Sequence, residues 1–194
     1  MARLLFVALT LVLVLATPAA SDFAMYVGTE PLGSCELTSD VGLITLSVVQ
    51  WPYPQSTARG ARYRISTCSS TLVWLANRSS FYTVTGDFNS GYVVDYGACL
   101  EGPVVTQSFL FIGNGTSPAD AAIKMMPHPN ATTGQVEGIN CDGEAYVQVG
   151  GGICIKSSGA CWCNYLGPPY HNIPCVEPVA VESTTWGTVK ALYR

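Results

Sequence analysis

Residues 61–66 read Ala61-Arg62-Tyr63-Arg64-Ile65-Ser66. Successive side chains of an extended backbone point to opposite faces, so Ala61, Tyr63 and Ile65 share one face and the polar residues share the other. This period of two marks a half-buried strand, and it recurs along the chain. Ile44, Leu46 and Val48 alternate with Thr45 and Ser47. Tyr92, Val94 and Tyr96 alternate around Asp95, and Ala145, Val147 and Val149 alternate with Tyr146 and Gln148. Val104–Ile112 and Leu72–Leu75 are denser apolar runs, which reads as strands buried on both faces. Phe23–Val27 and Phe81–Thr85 are shorter candidates, rich in aromatic and β-branched residues.

Turn chemistry separates these runs. Pro52-Tyr53-Pro54, Asn89-Ser90-Gly91, Gly113-Asn114-Gly115 and Gly150-Gly151-Gly152 each break the pattern. Asp142-Gly143 lies between Val136–Cys141 and Glu144–Val149, a strong short-range hairpin signal. Ser117-Pro118-Ala119-Asp120 predicts one helical turn, with Ser as N-cap and Pro at the first helical position, leading into a strand at Ala122–Met126. Pro127-His128-Pro129 stops that strand. No strand–helix–strand rhythm and no repeat period is present. The expectation is an all-β fold, an antiparallel β-sandwich of Ig-like or jelly-roll-like type.

The ends read differently from the middle. Arg3 precedes an apolar run from Leu4 to Ala16, and the small residues Thr17-Pro18-Ala19-Ala20-Ser21 follow. That run gives about 20 Å of helix, short of the ~30 Å hydrocarbon core, so residues 1–21 are expected to be a secretory signal cleaved after Ala19 or Ser21. The expected domain is 22–152, followed by a cysteine-rich segment at 153–176 and a tail at 177–194. No later segment is apolar enough to span a membrane. Net charge is −4, from nine Lys+Arg against thirteen Asp+Glu. No basic stripe exists to neutralise a phosphate backbone, which excludes nucleic acid as a main partner.

Eight cysteines, Cys35, Cys68, Cys99, Cys141, Cys154, Cys161, Cys163 and Cys175, all follow the signal. Their even number and the export signal predict disulfides. The first four are spaced as if tying distant strands. The last four crowd a Gly/Pro-rich stretch and are expected to pair among themselves. Cys154, Cys161, Cys163 and His171 can be drawn as a zinc site, but their spacing is not that of structural zinc, and no metal or other cofactor is expected.

The tail after Pro178 reads Ser183-Thr184-Thr185-Trp186-Gly187-Thr188-Val189-Lys190-Ala191-Leu192-Tyr193-Arg194. With Ser183 or Thr184 as cap, Trp186, Val189 and Tyr193 fall on one face of a short helix, and Lys190 and Arg194 in its last turn suit the helix dipole. Such a helix is too short to stand alone in water, so the tail either docks or is flexible. Trp186, Val189 and Tyr193 are the candidate partner-docking residues.

The ending VESTTWGTVKALYR is similar to the tail of uncharacterised secreted bacterial proteins with a signal peptide, one β-rich domain of this size and a TTWGxxKxLYR-like ending. Tyr96-Gly97-Ala98-Cys99 with Gly102 also resembles that group, as does Pro127-His128-Pro129 through Gly134-Gln135-Val136 to Asn140-Cys141. The resemblance implies a bacterial envelope or extracellular location and a Cys99–Cys141 pairing. It implies no activity.

Catalytic chemistry is thin. His128 sits between two prolines and His171 beside the cysteines, and no GxSxG or HExxH pattern occurs. Asp142 and Glu144 read as turn and strand-edge residues, and no calcium-loop run is present. Asn77-Arg78-Ser79, Asn114-Gly115-Thr116 and Asn130-Ala131-Thr132 are sequons, which carry glycans only in a eukaryotic secretory pathway. Trp51, Tyr53 and Trp162 fall on predicted loops, where aromatic rings can stack on sugars. The functional expectation is a secreted or cell-surface, non-enzymatic structural or adhesive module. It would dock a protein partner or surface component through its tail, or lend the strand Phe23–Val27 to a neighbour. The alternative is a carbohydrate-binding domain or small glycan hydrolase.

Overall fold

The computed structural model of the chain describes residues 22–29, 33–52, 55–81 and 83–158. Residues 1–21, Tyr53, Cys161, Trp162, Cys163, His171, Cys175 and the tail with Trp186, Val189 and Tyr193 lie outside the described residues.

Among the described residues the fold is all-β. Its twelve strands are β1 (Asp22–Val27), β2 (Glu36–Leu37), β3 (Val41–Gln50), β4 (Thr57–Ser66), β5 (Val73–Arg78), β6 (Thr83–Asp87), β7 (Gly91–Glu101), β8 (Val104–Asn114), β9 (Ala121–Met126), β10 (Val136–Ile139), β11 (Ala145–Gly150) and β12 (Gly152–Ile155). The alternation in residues 61–66 becomes the second half of β4, with Ala61, Tyr63 and Ile65 fully buried.

One layer runs β5–β8–β3–β1, all antiparallel. The other is built around β4, which pairs with β7 from Thr57 to Tyr63, with β10 at Gly60–Arg62 and with β9 at Arg64–Ser66. β6 extends this layer from β7, and β12 and then β2 extend it from β9. β11 joins the layers, pairing antiparallel with β10 and parallel with β1.

The core lies between the layers. Phe23, Met25, Leu46, Val48, Phe109 and Phe111 meet Tyr63, Ile65, Tyr92, Val94, Ile123 and Ile153 in one apolar cluster. Aromatic rings cross the interface, Phe23 to Tyr63 at 5.6 Å between centroids and Tyr92 to Phe109 at 5.3 Å. Tyr63 takes its hydroxyl into this core and donates it to Gln107 Oε1 at 2.7 Å, which meets the requirement that a buried polar group be paired.

Several expectations need adjustment. The sandwich is not purely antiparallel, because β1 pairs with β11 and β2 with β12 in parallel. β1 pairs with β3 from Phe23 to Val27 and with β11 at Asp22 and Phe23, so here it is a strand of its own sandwich rather than one lent to a neighbour. The predicted helical turn is a tight turn closed by Ala121 N donating to Pro118 O, and the strand after it begins at Ala121. Cys154 belongs to a sandwich strand, β12, rather than to a separate cysteine-rich segment. Leu72–Leu75 is not buried on both faces: Leu72 is buried, but β5 begins at Val73 and is mostly exposed.

The Asp142-Gly143 hairpin forms as expected, with Gly143 at φ 86°, a conformation that favours glycine. The Cys99–Cys141 disulfide forms with a Cα–Cα distance of 5.6 Å, tying the end of β7 to the β10–β11 turn. Cys35, Cys68 and Cys154 are disulfide-bonded as well.

Candidate functional site: an exposed apolar sheet face

The dense apolar runs have a different cause from the one the sequence suggests. In register, Leu43 of β3 stands opposite Ile112 of β8, and Ile112 opposite Val73 of β5. One step along, Thr45 faces Leu110 and Leu110 faces Ala76. Residues directly opposite in an antiparallel pair share a face. The neighbours between them, Ile44, Phe111 and Trp74, point into the core. The first set therefore lines the outer side of the sandwich. Val41 is 67% exposed, Leu43 69% and Val73 52%, with Ile112 and Leu110 half-buried between them. Single exposed apolar residues are ordinary, but a cross-strand row of Leu43, Ile112 and Val73 with Val41 at its end is a contiguous patch.

The patch rests on a rigid floor. Trp74 stacks on Phe88 with centroids 5.5 Å apart and ring planes 14° from parallel, and Phe88 meets Phe111 edge-on at 5.9 Å. The β5–β8 register shifts between Trp74 and Ala76, so Leu75 is the extra residue of a bulge and is 39% exposed. A bulge bends an edge strand and discourages pairing along it, so the face rather than the edge is the available contact surface.

The Val41 end is fixed by a buried ion pair. Asp40 is fully buried, and its Oδ1 lies 2.9 Å from Lys156 Nζ. Lys156 Nζ also donates to the carbonyls of Gly115 and Ser117, and Ser117 N donates to Asp40 Oδ2 at 2.9 Å. Burial by itself would raise the Asp40 pKa, but hydrogen bonds from Ser117 and Lys156 outweigh it and hold the carboxyl at about 2. The residue after Asp40 is Val41, so this charge cluster sets where the apolar row starts.

A second outward cluster lies at the far end of the same layer. Ala24 opposes Val49, and Tyr26 opposes Ser47. Ala24, Tyr26 and Val49 are buried there as a cluster separate from the core, with Trp51 and Val105 packed partly against it. Trp51 is thus half-buried against its own sheet, and its carbonyl accepts from Gln148 Nε2 at 3.0 Å.

The titratable candidates serve structure. His128 Nδ1 accepts from Asn130 N within the Pro127–Pro129 turn. Its pKa is lowered, by burial first and then by the nearby Arg62 charge. Glu137 is fully buried, 2.9 Å from Arg62 Nη1, and accepts from Thr132 Oγ1 and Thr133 N. Burial would raise its pKa, but the hydrogen bonds from Thr133 and Thr132 and the Arg62 charge lower it on balance. Glu144 accepts from Asn140 Nδ2 on the exposed hairpin. Among the described residues no group of three His, Cys, Asp or Glu is placed to hold a metal ion.

Val41, Leu43, Val73 and Ile112 were not singled out by sequence reading. The signal was the apolar content of both faces of Leu72–Leu75 and Val104–Ile112, among described residues that form no helix to cover a second face.

No family model matches the chain, and no curated protein matches it. Among solved structures the chain is similar to a cohesin module from a Clostridium perfringens family 33 glycoside hydrolase, at 9% identity and a TM-score of 0.49, covering 71% of this chain and 99% of that one. It is also similar to the seventh ScaB type I cohesin from Pseudobacteroides cellulosolvens, at 8% identity and a TM-score of 0.45, covering 74% of this chain and 98% of that one.

Proposed function

We propose that this chain is an exported, non-enzymatic module of the cell surface or extracellular space that makes protein contacts in a structural assembly. The observation that carries this reading is the cross-strand row Leu43–Ile112–Val73, apolar and open on the outside of a rigid, disulfide-tied sandwich. Apolar rows of this kind on a folded sheet lower their free energy by burial against another apolar surface. The apolar side of the tail, Trp186, Val189 and Tyr193, is the second contact element, an aromatic-anchored stripe too short to fold alone.

The test is the retention of the full-length chain on cells. Leu43→Asp with Val73→Asp places two charges on the row without touching the core. The expected result is a folded, disulfide-bonded variant that is released to the medium while the parent stays cell-associated. Equal retention of the two would remove the face from the account.

A further inference from the structure

We infer that in the free protein the C-terminal segment, residues 177–194, packs across the outer face of β3, β8 and β5 of its own chain. The inference rests on the docking reading above and names the first occupant of that face.

The path of the chain is the main observation. Ser158, the last described residue, is held by Asp120, to which its backbone N donates at 2.7 Å. Two residues earlier, Lys156 is bound to Asp40 and to the Gly115 carbonyl, which flank Val41. The chain therefore leaves the sandwich at the corner where the apolar row begins. Trp186 lies 28 positions after Ser158, and a chain of that length can reach at most ~90 Å. Val41 to Thr45 on β3 spans only about 13 Å at ~3.3 Å per residue. The face is well within reach, and tethering presents the segment to it at an effective concentration of roughly millimolar order.

The chemistry of the two surfaces matches. The face carries no charge between Val41 and Val73 along the Leu43–Ile112 row. Trp186, Val189 and Tyr193 supply an apolar stripe, and Lys190 and Arg194 flank it with long side chains whose charged ends can stay in water. The far end of the same layer is already closed over, with Ala24, Tyr26 and Val49 buried on the outward side. Packing along the open end would continue that cover rather than create an isolated contact.

The test places photo-activatable benzoylphenylalanine at position 43, and separately at position 73, in the full-length, disulfide-bonded chain. Leu43 and Val73 are exposed, so neither replacement disturbs the core. The expected product is an intrachain cross-link to residues 177–194, falling about tenfold when Trp186→Ala and Tyr193→Ala remove the anchors. A probe at position 147 of β11 should give no such product. Cross-links to a second copy or to another protein, without the tail, would overturn the inference and leave the docking reading standing. Absence of any cross-link from positions 43 and 73 would overturn both.

Discussion

Asp40 is a charge without solvent, and its value to the fold depends on pH. Its carboxyl is held at about 2 by hydrogen bonds from Ser117 and Lys156 that outweigh the cost of burial. A carboxyl whose folded pKa lies below its unfolded value stabilises the fold above the unfolded pKa, and that contribution is lost as pH falls through the folded value. For Asp40 the window runs from the ordinary 3.8 down to about 2. Asp40→Asn strands the Lys156 ammonium. Because the Lys156 side chain is 31% exposed, the expected loss is about 2 kcal/mol rather than the larger cost of a fully buried orphan charge. Urea unfolding at neutral pH should show a lower midpoint with unchanged slope, and the variant should lose less stability than the parent between pH 4 and pH 2. A variant as stable as the parent would mean that Lys156 finds equal partners in water. Asp40 was invisible in the sequence, because nothing local distinguishes a buried aspartate from a turn aspartate.

At the scale of elements, the period-two segments were legible because alternation is a local property of one strand. β3, β4, β7 and β11 follow from their own residues, and the β10–β11 hairpin follows from Asp142-Gly143. What a strand lies against is not local. Val104–Ile112 and Leu72–Leu75 have apolar residues on both faces, which fits burial on both sides and also fits an open contact face. Only the pairing of β5 at the edge of its layer separates the two. Close approach between strands is similarly non-local. A Cβ on Gly60 would lie 2.5 Å from the Val94 carbonyl oxygen, a backbone atom that cannot turn aside. Gly60→Ala should therefore push β4 from β7 at the irregular step between Ala58 and Gly60. A loss of at least about 2 kcal/mol is expected, in the range of overpacked interiors. Thermal unfolding of the variant with its disulfides intact checks this, and a melting temperature equal to the parent's would show that the strands can separate at no cost.

For the whole molecule, the oxidation of its cysteines bears on stability. Cys99 and Cys141 are 42 residues apart in sequence. A bond closing a loop of that size restricts the unfolded chain by about 4 kcal/mol in the chain-entropy picture. Cys99→Ser with Cys141→Ser should lower stability by roughly that amount in oxidised protein, with the other disulfides unchanged by mass mapping. The even cysteine count foretold disulfides, and resemblance to the secreted bacterial group supplied this pair. The two parallel pairings were not foretold, because parallel strands need partners distant in sequence and no turn motif announces them.

One of those pairings bears on how the protein is made. Asp22 of β1 lies opposite Val149 of β11, so the first strand completes its hydrogen bonds only against one of the last. Non-local pairings carry the loop-closure entropy before they return any contact energy, which slows folding. A chain threaded N-terminus first through a secretion pore would keep β1 half-paired until nearly all the sandwich has crossed. The topology thus makes the β1–β11 pairing a contact that closes only when β11 is available to it.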